Sequence, residues 1–243
     1  MWTNHPSLVE PADNTEIWQY MSTEKLLSII SSNALNLARI DILDDPWEGM
    51  LTVATMDRVR KEWTGDKRGF GPADCVSDSI RDQKKNIFVN CWHSNPRESA
   101  AMWDLYARRN AGVAIRSDVA ALKAAIRSDA YLYLALVKYA NYSSYITPIN
   151  LFETIATKRD SFEHEREIRL IHPAESMQPN GHGAPREVRS FKVPINTSSL
   201  IKGIYIAPTA PVWHKTAIES TVAMFGMSAD IVQQSSMYGD LIV

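Results

Sequence analysis

The sequence predicts an α+β fold: a single mixed α/β domain with a predominantly antiparallel sheet and interleaved helices. Segments of alternating or β-branched and aromatic residues are separated by segments of helical spacing, but at intervals too irregular for repeated βαβ units. No internal repeat and no linker long enough to separate two domains is found. The 243 residues, 45% of them hydrophobic, are enough to bury a substantial core.

The residue pattern in the first third of the chain predicts two strands and three helices. Aromatic residues favour a strand at 16–21, and alternating Leu35 and Leu37 favour a second at 34–39. Ser22 is the expected N-cap of the helix between them, where apolar residues follow helical spacing. The Asp-Pro step ends a loop at 41–46. The remaining two segments are predicted as helices, at 47–63 and 73–85.

The residue pattern in the rest of the chain predicts seven strands and four helices. The strands are expected at 87–92, 112–116, 131–139, 165–171, 187–195, 203–207 and 229–235. The helices are expected at 97–108 with Ser94 or Asn95 as cap, after Ser117, at 149–162 and at 212–225. Turn-forming residues at 179–185 predict a linker.

Composition excludes several classes of protein. A formal net charge of −2 lacks the basic character of a dedicated nucleic-acid binder. The N-terminus has no basic segment followed by an apolar run, and the longest apolar stretch, 130–137, is far shorter than the roughly 20 residues of a membrane span. Two cysteines, Cys75 and Cys91, are too few for a disulfide framework. These features predict a cytoplasmic protein without a membrane partner.

The sequence SFEHEREIRLI at 161–171 carries the most informative polar pattern. Residues two apart on a strand face the same side, so Glu165, Glu167 and Arg169 are expected to project together. Two carboxylates beside a guanidinium suit acid/base work or the stabilisation of a developing cation in sugar transfer. The alternative is a solvated strand face with salt bridges.

A second candidate region is the loop that follows the strand at 34–39. Asp45 and Pro46 are suited to begin a helix, and Glu48 would then complement its dipole. This structural role is sufficient to explain the loop. Arg39 and Glu48 are nevertheless candidate binding residues, since loops after strands commonly carry function.

A third region, NCWHSNPRESAAMWDLY at 90–106, places aromatic residues at a strand end and on the following helix. Trp92, His93, Ser94, Trp103 and Tyr106 are candidates for nucleotide binding, because aromatic rings offer stacking surfaces. The alternative is that the helical spacing of Trp103 and Tyr106 places them in the core.

These segments resemble the DUF2971 family, a bacterial and phage family. The resemblance rests on IWQYMS, DDPWEG, CWHSNPRESAAMWDLYARRNAGVAI, and SFEHEREIRLI preceded by Lys158, in that order. It covers residues 16–211 and implies one DUF2971-like domain over 1–243.

The order of the motifs is also similar, more distantly, to the ADP-ribosyltransferase layout, which implies an ADP-ribosyltransferase-like fold with NAD as substrate. In that superfamily the second glutamate of an E-x-E strand contacts the nicotinamide ribose, and the first serves the acceptor. Carried over, Glu167 and Glu165 would be the catalytic residues. Gln19, with Tyr20 beside it, stands where the superfamily holds the adenosine ribose with His or Arg, and Ser94 is nearest to its second polar motif.

Three functions therefore remain open. The first is an NAD-dependent ADP-ribosyltransferase or NAD hydrolase, acting as a toxin or phage-defence effector on an unknown macromolecular acceptor. The second is a non-catalytic module that binds a protein or nucleotide, in which Glu165 and Glu167 are paired with Arg or Lys. The third is a metal-dependent nuclease using Asp44, Asp45, Glu48, Glu165 and Glu167. The first two need no metal.

Overall fold

The computed structural model of the protein describes residues 2–62, 72–107, 111–174 and 188–239. Its mixed architecture and mostly antiparallel strand pairing confirm the predicted α+β class. The chain divides into two compact units. Unit 1 comprises Met1–Glu10, Leu37–Asn90 and Ala130–Phe191, and unit 2 comprises Pro11–Asn36, Cys91–Asp129 and Lys192–Val243. The single domain over 1–243 stays a prediction.

The described residues form eleven strands and eight α-helices. The strands are β1 (Glu16–Ser22), β2 (Ala34–Arg39), β3 (Ile87–Ser94), β4 (Gly112–Asp118), β5 (Tyr133–Leu136), β6 (Lys138–Ala140), β7 (Thr157–Arg159), β8 (Glu167–Pro173), β9 (Ser190–Pro194), β10 (Gly203–Ile206) and β11 (Val232–Gln234). The helices are α1 (Thr23–Ser32), α2 (Val53–Glu62), α3 (Pro72–Lys84), α4 (Ala100–Tyr106), α5 (Val119–Ala125), α6 (Leu151–Ile155), α7 (Thr197–Leu200) and α8 (Val212–Met224). None of them is long and apolar enough to cross a membrane.

Unit 2 is built on antiparallel pairs around β1. Along its length β1 pairs with β4, from Glu16 opposite Asp118 to Ser22 opposite Gly112. On the other edge of β1 lie His93 and Ser94 at the end of β3. Strand β10 pairs antiparallel with β4 and parallel with β11. Apolar residues of β1 and β4 form the centre of this unit's core.

Unit 1 contains the pair that positions the candidate glutamates. Strand β8 pairs antiparallel with β5, and all seven of its residues are buried. Strand β7 pairs in parallel with β6 in a separate small sheet. A 3₁₀ helix at Asp160–Glu165 joins β7 to β8, so the chain makes a tight return between these two strands.

The prediction of one strand at 131–139 is wrong, because the chain changes partner at Val137. Leu136 is still opposite Ile168 of β8, whereas the Lys138 amide donates to the Ala156 carbonyl at 2.7 Å. The helix predicted at 149–162 is likewise too long. It ends at Ile155 because the following residues form β7.

Other boundaries differ because the chain's pairing or turns decide them. The helix predicted from residue 47 begins at Val53, since Gly49 adopts a positive φ of 65°. Ser94 does not cap α4 because it is still paired in β3; Ser99 caps the helix instead. Asp118 rather than Ser117 caps α5. Predictions for residues 63, 108 and 175–187, including the linker at 179–185, lie outside the described residues.

Candidate active site: a buried ionic cluster

Five charged side chains of unit 1 meet in what we term the ionic cluster, formed by Glu48, Lys158, Glu165, Glu167 and Arg169. Their side chains are between 0% and 8% exposed. Burying charges is costly unless each is paired with an opposite charge and hydrogen bonded. Among these five groups the three carboxylates and two cations are paired throughout.

Local structure brings these side chains together from four segments. Glu48 lies in the loop after β2, Lys158 in β7, Glu165 at the end of the 3₁₀ helix, and Glu167 and Arg169 in β8. Arg166, with φ 40° and ψ 54°, turns the chain between the two glutamates. The prediction that Glu165 shares a strand face with Glu167 and Arg169 is therefore wrong, because β8 begins at Glu167.

Arg169 is fully buried and holds Glu167 by two hydrogen bonds. Its Nε donates to Glu167 Oε1 at 2.6 Å, and its Nη2 donates to Glu167 Oε2 at 3.0 Å. Nη2 also donates to Glu48 Oε2 at 2.7 Å, while Nη1 donates to the Ile155 carbonyl at 2.6 Å. Paired contacts to both oxygens fix the orientation of a carboxylate as well as its charge.

Lys158 contacts all three glutamates of the cluster. Its Nζ lies 2.5 Å from Glu165 Oε2, 2.8 Å from Glu48 Oε1 and 3.4 Å from Glu167 Oε2. Burial by itself lowers the pKa of a lysine, but the neighbouring carboxylates outweigh it and raise the pKa of Lys158 above its ordinary value. Lys158 is thus a cation at neutral pH.

Two further groups support the cluster from outside. The Glu167 amide donates to the hydroxyl of Tyr139 at 2.8 Å, which fixes the backbone at the start of β8. Burial, with the Glu167 and Glu165 carboxylates, raises the pKa of Tyr139. Asp45 accepts from Arg159 Nη2 at 2.9 Å and from the Trp47 amide at 3.1 Å, so it anchors the Glu48 loop.

The candidate Arg39 takes part in a neighbouring ion pair. It contacts Asp41 with two hydrogen bonds, of 2.6 Å from Nε and 3.1 Å from Nη2. Lys84 lies near this pair and near Glu48, and its side chain packs over Gly49. Burial lowers the pKa of Lys84, although nearby acids act in the opposite direction.

A cavity of about 340 Å³ lies beside the Glu48 loop in unit 1. Its lining comprises Trp47, Met50, Leu51, Val53, Met56, Arg60, Ser77 and Arg81. None of the five cluster residues lines it. This cavity is small but within the range of sites for small molecules.

Three of the aromatic candidates, Tyr20, His93 and Trp103, meet in unit 2. Tyr20 contacts Trp103 edge to face at 5.0 Å between ring centroids and His93 at 6.0 Å. The hydroxyl of Tyr20 accepts from the Ser99 amide at 2.8 Å. Trp92, His93 and Trp103 are buried, so the core interpretation holds for Trp103, whereas Tyr106 is 45% exposed.

Two remaining candidates are neighbours of Tyr20 and His93 in β1 and β3, so their side chains face the opposite side of the sheet. Gln19 is half-buried, and its Nε2 donates to the Cys91 carbonyl at 3.1 Å. Ser94 is half-buried at the end of β3. The role of Gln19 and Tyr20 in holding an adenosine ribose stays a prediction.

The structure thus joins Glu48, Glu165, Glu167 and Arg169, which came from two separate sequence segments. Lys158 has no predicted role, because its position depends on long-range contacts with Glu48, Glu165 and Glu167. Of the residues named for a nuclease, Glu48, Glu165 and Glu167 contact Lys158. No group of three or more His, Cys, Asp or Glu in the described part of the chain is arranged to hold a metal ion.

Comparisons with known proteins found a similar solved structure and a matching family model. A solved structure of DarT from Thermus sp. 2.9 in complex with ADP-ribosylated ssDNA is 10% identical, with a TM-score of 0.39, and the match covers 93% of this chain and 100% of that chain. A likeness of this size assigns no activity. A comparison with curated proteins found no match. The sequence model of DUF2971, described as a protein of unknown function, matches residues 102–170. That match confirms the resemblance to DUF2971 inferred from the motifs.

Proposed function

We propose that the protein cleaves the nicotinamide–ribose bond of NAD and transfers ADP-ribose to an acceptor or to water. The observation that carries this proposal is the Glu167 carboxylate, which Arg169 holds through both oxygens inside the ionic cluster. It stands at the position where the E-x-E pattern of ADP-ribosyltransferases carries the glutamate that contacts the ribose.

The chemistry of this bond explains why such a carboxylate is useful. When neutral nicotinamide leaves, positive charge develops on the ribose C1′ and ring oxygen. A negative group that is already fixed near this position stabilises the transition state without reorganising. The Glu167 carboxylate contacts the cations Arg169 and Lys158, and these buried contacts restrict its motion.

The other candidates have complementary roles in this proposal. Glu165 serves the acceptor. Within unit 2, Ser94 and the exposed ring of Tyr106 are the candidates for nucleotide binding, whereas Trp92, His93 and Trp103 are buried. A protein that consumes NAD in this way would suit a toxin or phage-defence effector.

Release of nicotinamide tests the proposal. The purified protein should convert NAD to nicotinamide, measured by chromatography, and Glu167→Gln should reduce the rate at least about 100-fold because the transition state loses its counter-charge. Free ADP-ribose among the products would indicate a hydrolase. Its absence, with label retained on a macromolecule, would indicate a transferase.

Glu62→Gln is the matched control, since Glu62 pairs with Arg58 on exposed α2 outside the cluster. It should release nicotinamide at the wild-type rate. Folded wild-type protein that releases none, with or without candidate protein and DNA acceptors, would refute the proposal.

A second candidate function, a non-catalytic binding module, is favoured by one observation. Glu165 and Glu167 are each only 5% exposed and are paired with Lys158 and Arg169, as this function predicts. In this case NAD or a macromolecule should bind without being altered. Glu167→Gln should lower the stability of the fold, and neither the variant nor the wild type should turn over NAD. Calorimetric titration with NAD, followed by chromatography of the same sample, distinguishes the two functions.

A further inference from the structure

We infer that Glu48 is a positioning residue, which sets the geometry of Glu167 through Arg169 and Lys158 without touching substrate itself. This inference deepens the proposed function and rests on it for its kinetic consequence. Its structural basis lies entirely within unit 1.

Glu48 links the two cations of the ionic cluster. Its Oε1 accepts from Lys158 at 2.8 Å and its Oε2 accepts from Arg169 Nη2 at 2.7 Å, and its side chain is 2% exposed. Each oxygen therefore contacts a different cation. Arg169 and Lys158 are also the cations that contact Glu167, so a change at Glu48 is transmitted to Glu167 through two routes.

The connection through Arg169 is stronger than the one through Lys158, because one Arg169 nitrogen contacts both glutamates within 3.0 Å, whereas Lys158 Nζ lies 3.4 Å from Glu167. Arg169 Nη2 donates to Glu48 at 2.7 Å and to Glu167 at 3.0 Å. With Glu48 drawing this nitrogen from one side, the guanidinium is held in the orientation in which Nε meets Glu167 Oε1 at 2.6 Å. Such planar two-point contacts are sensitive to small rotations of the guanidinium.

The loop that carries Glu48 is built to place it there. The Glu48 amide donates to the Asp45 carbonyl at 3.0 Å, and Asp45 is in turn paired with Arg159. Gly49 follows with φ 65°, a conformation that glycine adopts readily. A Cβ at Gly49 would lie 3.3 Å from Ile40 Cδ1, so the turn is also tightly packed. The DDPWEG motif therefore fixes the position of Glu48.

The kinetic test compares Glu48→Gln with the wild type. Loss of the negative charge frees the cations to reorient, so kcat should fall at least about tenfold while KM stays within about twofold. Glu48→Asp retains the charge and should recover part of the loss. Glu62→Gln is again the control. An unchanged kcat in Glu48→Gln would overturn the inference.

A second test requires no activity. Unfolding equilibrium constants of Glu48→Gln, Glu167→Gln and the double variant form a double-mutant cycle, measured in urea. Because the two carboxylates share both cations, the combined effect should differ from the product of the single effects by at least about threefold. Multiplicative effects would overturn the inference. If Glu48→Gln does not fold, Glu48→Asp replaces it in both tests.

The two experiments separate the two claims. A wild-type protein that releases no nicotinamide refutes the proposed function, and the cycle still decides whether Glu48 positions Glu167. A catalytically active protein with a multiplicative cycle refutes the positioning role alone.

Discussion

Arg169 is the residue on which the ionic cluster depends most. It is completely buried, and its three nitrogens contact Glu48, Glu167 and the Ile155 carbonyl. A buried ion pair contributes little net stability compared with well-packed apolar residues, but the loss of one partner leaves buried charge without compensation. Well-packed apolar residues in place of the whole ionic cluster would serve stability equally well.

Replacing Arg169 by Met should therefore be strongly destabilising. We expect a loss of about 3–5 kcal/mol in the free energy of unfolding, because Glu48 and Glu167 lose this cation while remaining buried. Urea denaturation measures the loss. Arg58→Met, which removes an exposed pair with Glu62, should change stability by less than about 1 kcal/mol. A similar small effect for Arg169→Met would contradict the assigned pairing.

At the residue scale, the sequence could predict part of the site. The spacing of Glu167 and Arg169 places them on one strand face, and the structure shows them paired. Lys158 could not be found in this way, because its partners Glu48, Glu165 and Glu167 come from other segments. Glu48 was predicted as a candidate, but from its loop position and not from its contacts.

At the scale of elements, prediction succeeds where local pattern and tertiary pairing agree. Strands β1, β2, β3 and β10 occupy the predicted segments to within two residues, and their alternation or β-branched composition follows their burial. Strand β8 begins two residues late. The left-handed backbone of Arg166 interrupts the pattern there, and no glycine marks the turn.

Two of the wrong boundaries have a common cause, which is a change of pairing partner within an uninterrupted pattern. Residues 131–139 are favourable for a strand throughout, yet Leu136 pairs with β8 and Lys138 with the segment at Ala156. Helix α6 is shorter than predicted for the same reason, because Thr157 to Arg159 pair with β6 as strand β7. Only long-range contacts decide such boundaries, and sequence periodicity contains no information on them.

At the scale of the whole molecule, the net charge of −2 conceals a buried set of titratable groups. Burial raises the pKa of Tyr20, Tyr139 and Tyr142, and the carboxylates raise that of Lys158 against the effect of burial. Groups with a raised folded-state pKa stabilise the fold below their unfolded pKa, which is near 10. This contribution is lost as the pH rises towards their folded values.

We therefore expect stability to fall above about pH 10. The lowered pKa of Lys84 has the opposite effect, because the free-energy cost of burying this side chain falls as the pH rises. The three tyrosines and Lys158 together outweigh this single group. Absorbance at 295 nm should show that at least three of the nine tyrosines ionise only as the protein unfolds, by comparison with protein in urea. Full ionisation while near-UV circular dichroism remains native would contradict the burial of these hydroxyls.

The proposed function requires that the fixed negative charge of Glu167 stabilise a positively charged ribose. The most direct measurement compares the binding of two ribose analogues of nicotinamide riboside by calorimetry, one carrying a protonated ring nitrogen and one neutral. The wild type should bind the cationic analogue at least about 100-fold more tightly, and Glu167→Gln should lose this preference while binding the neutral analogue as before. Equal binding of the two analogues by the wild type would contradict the claim.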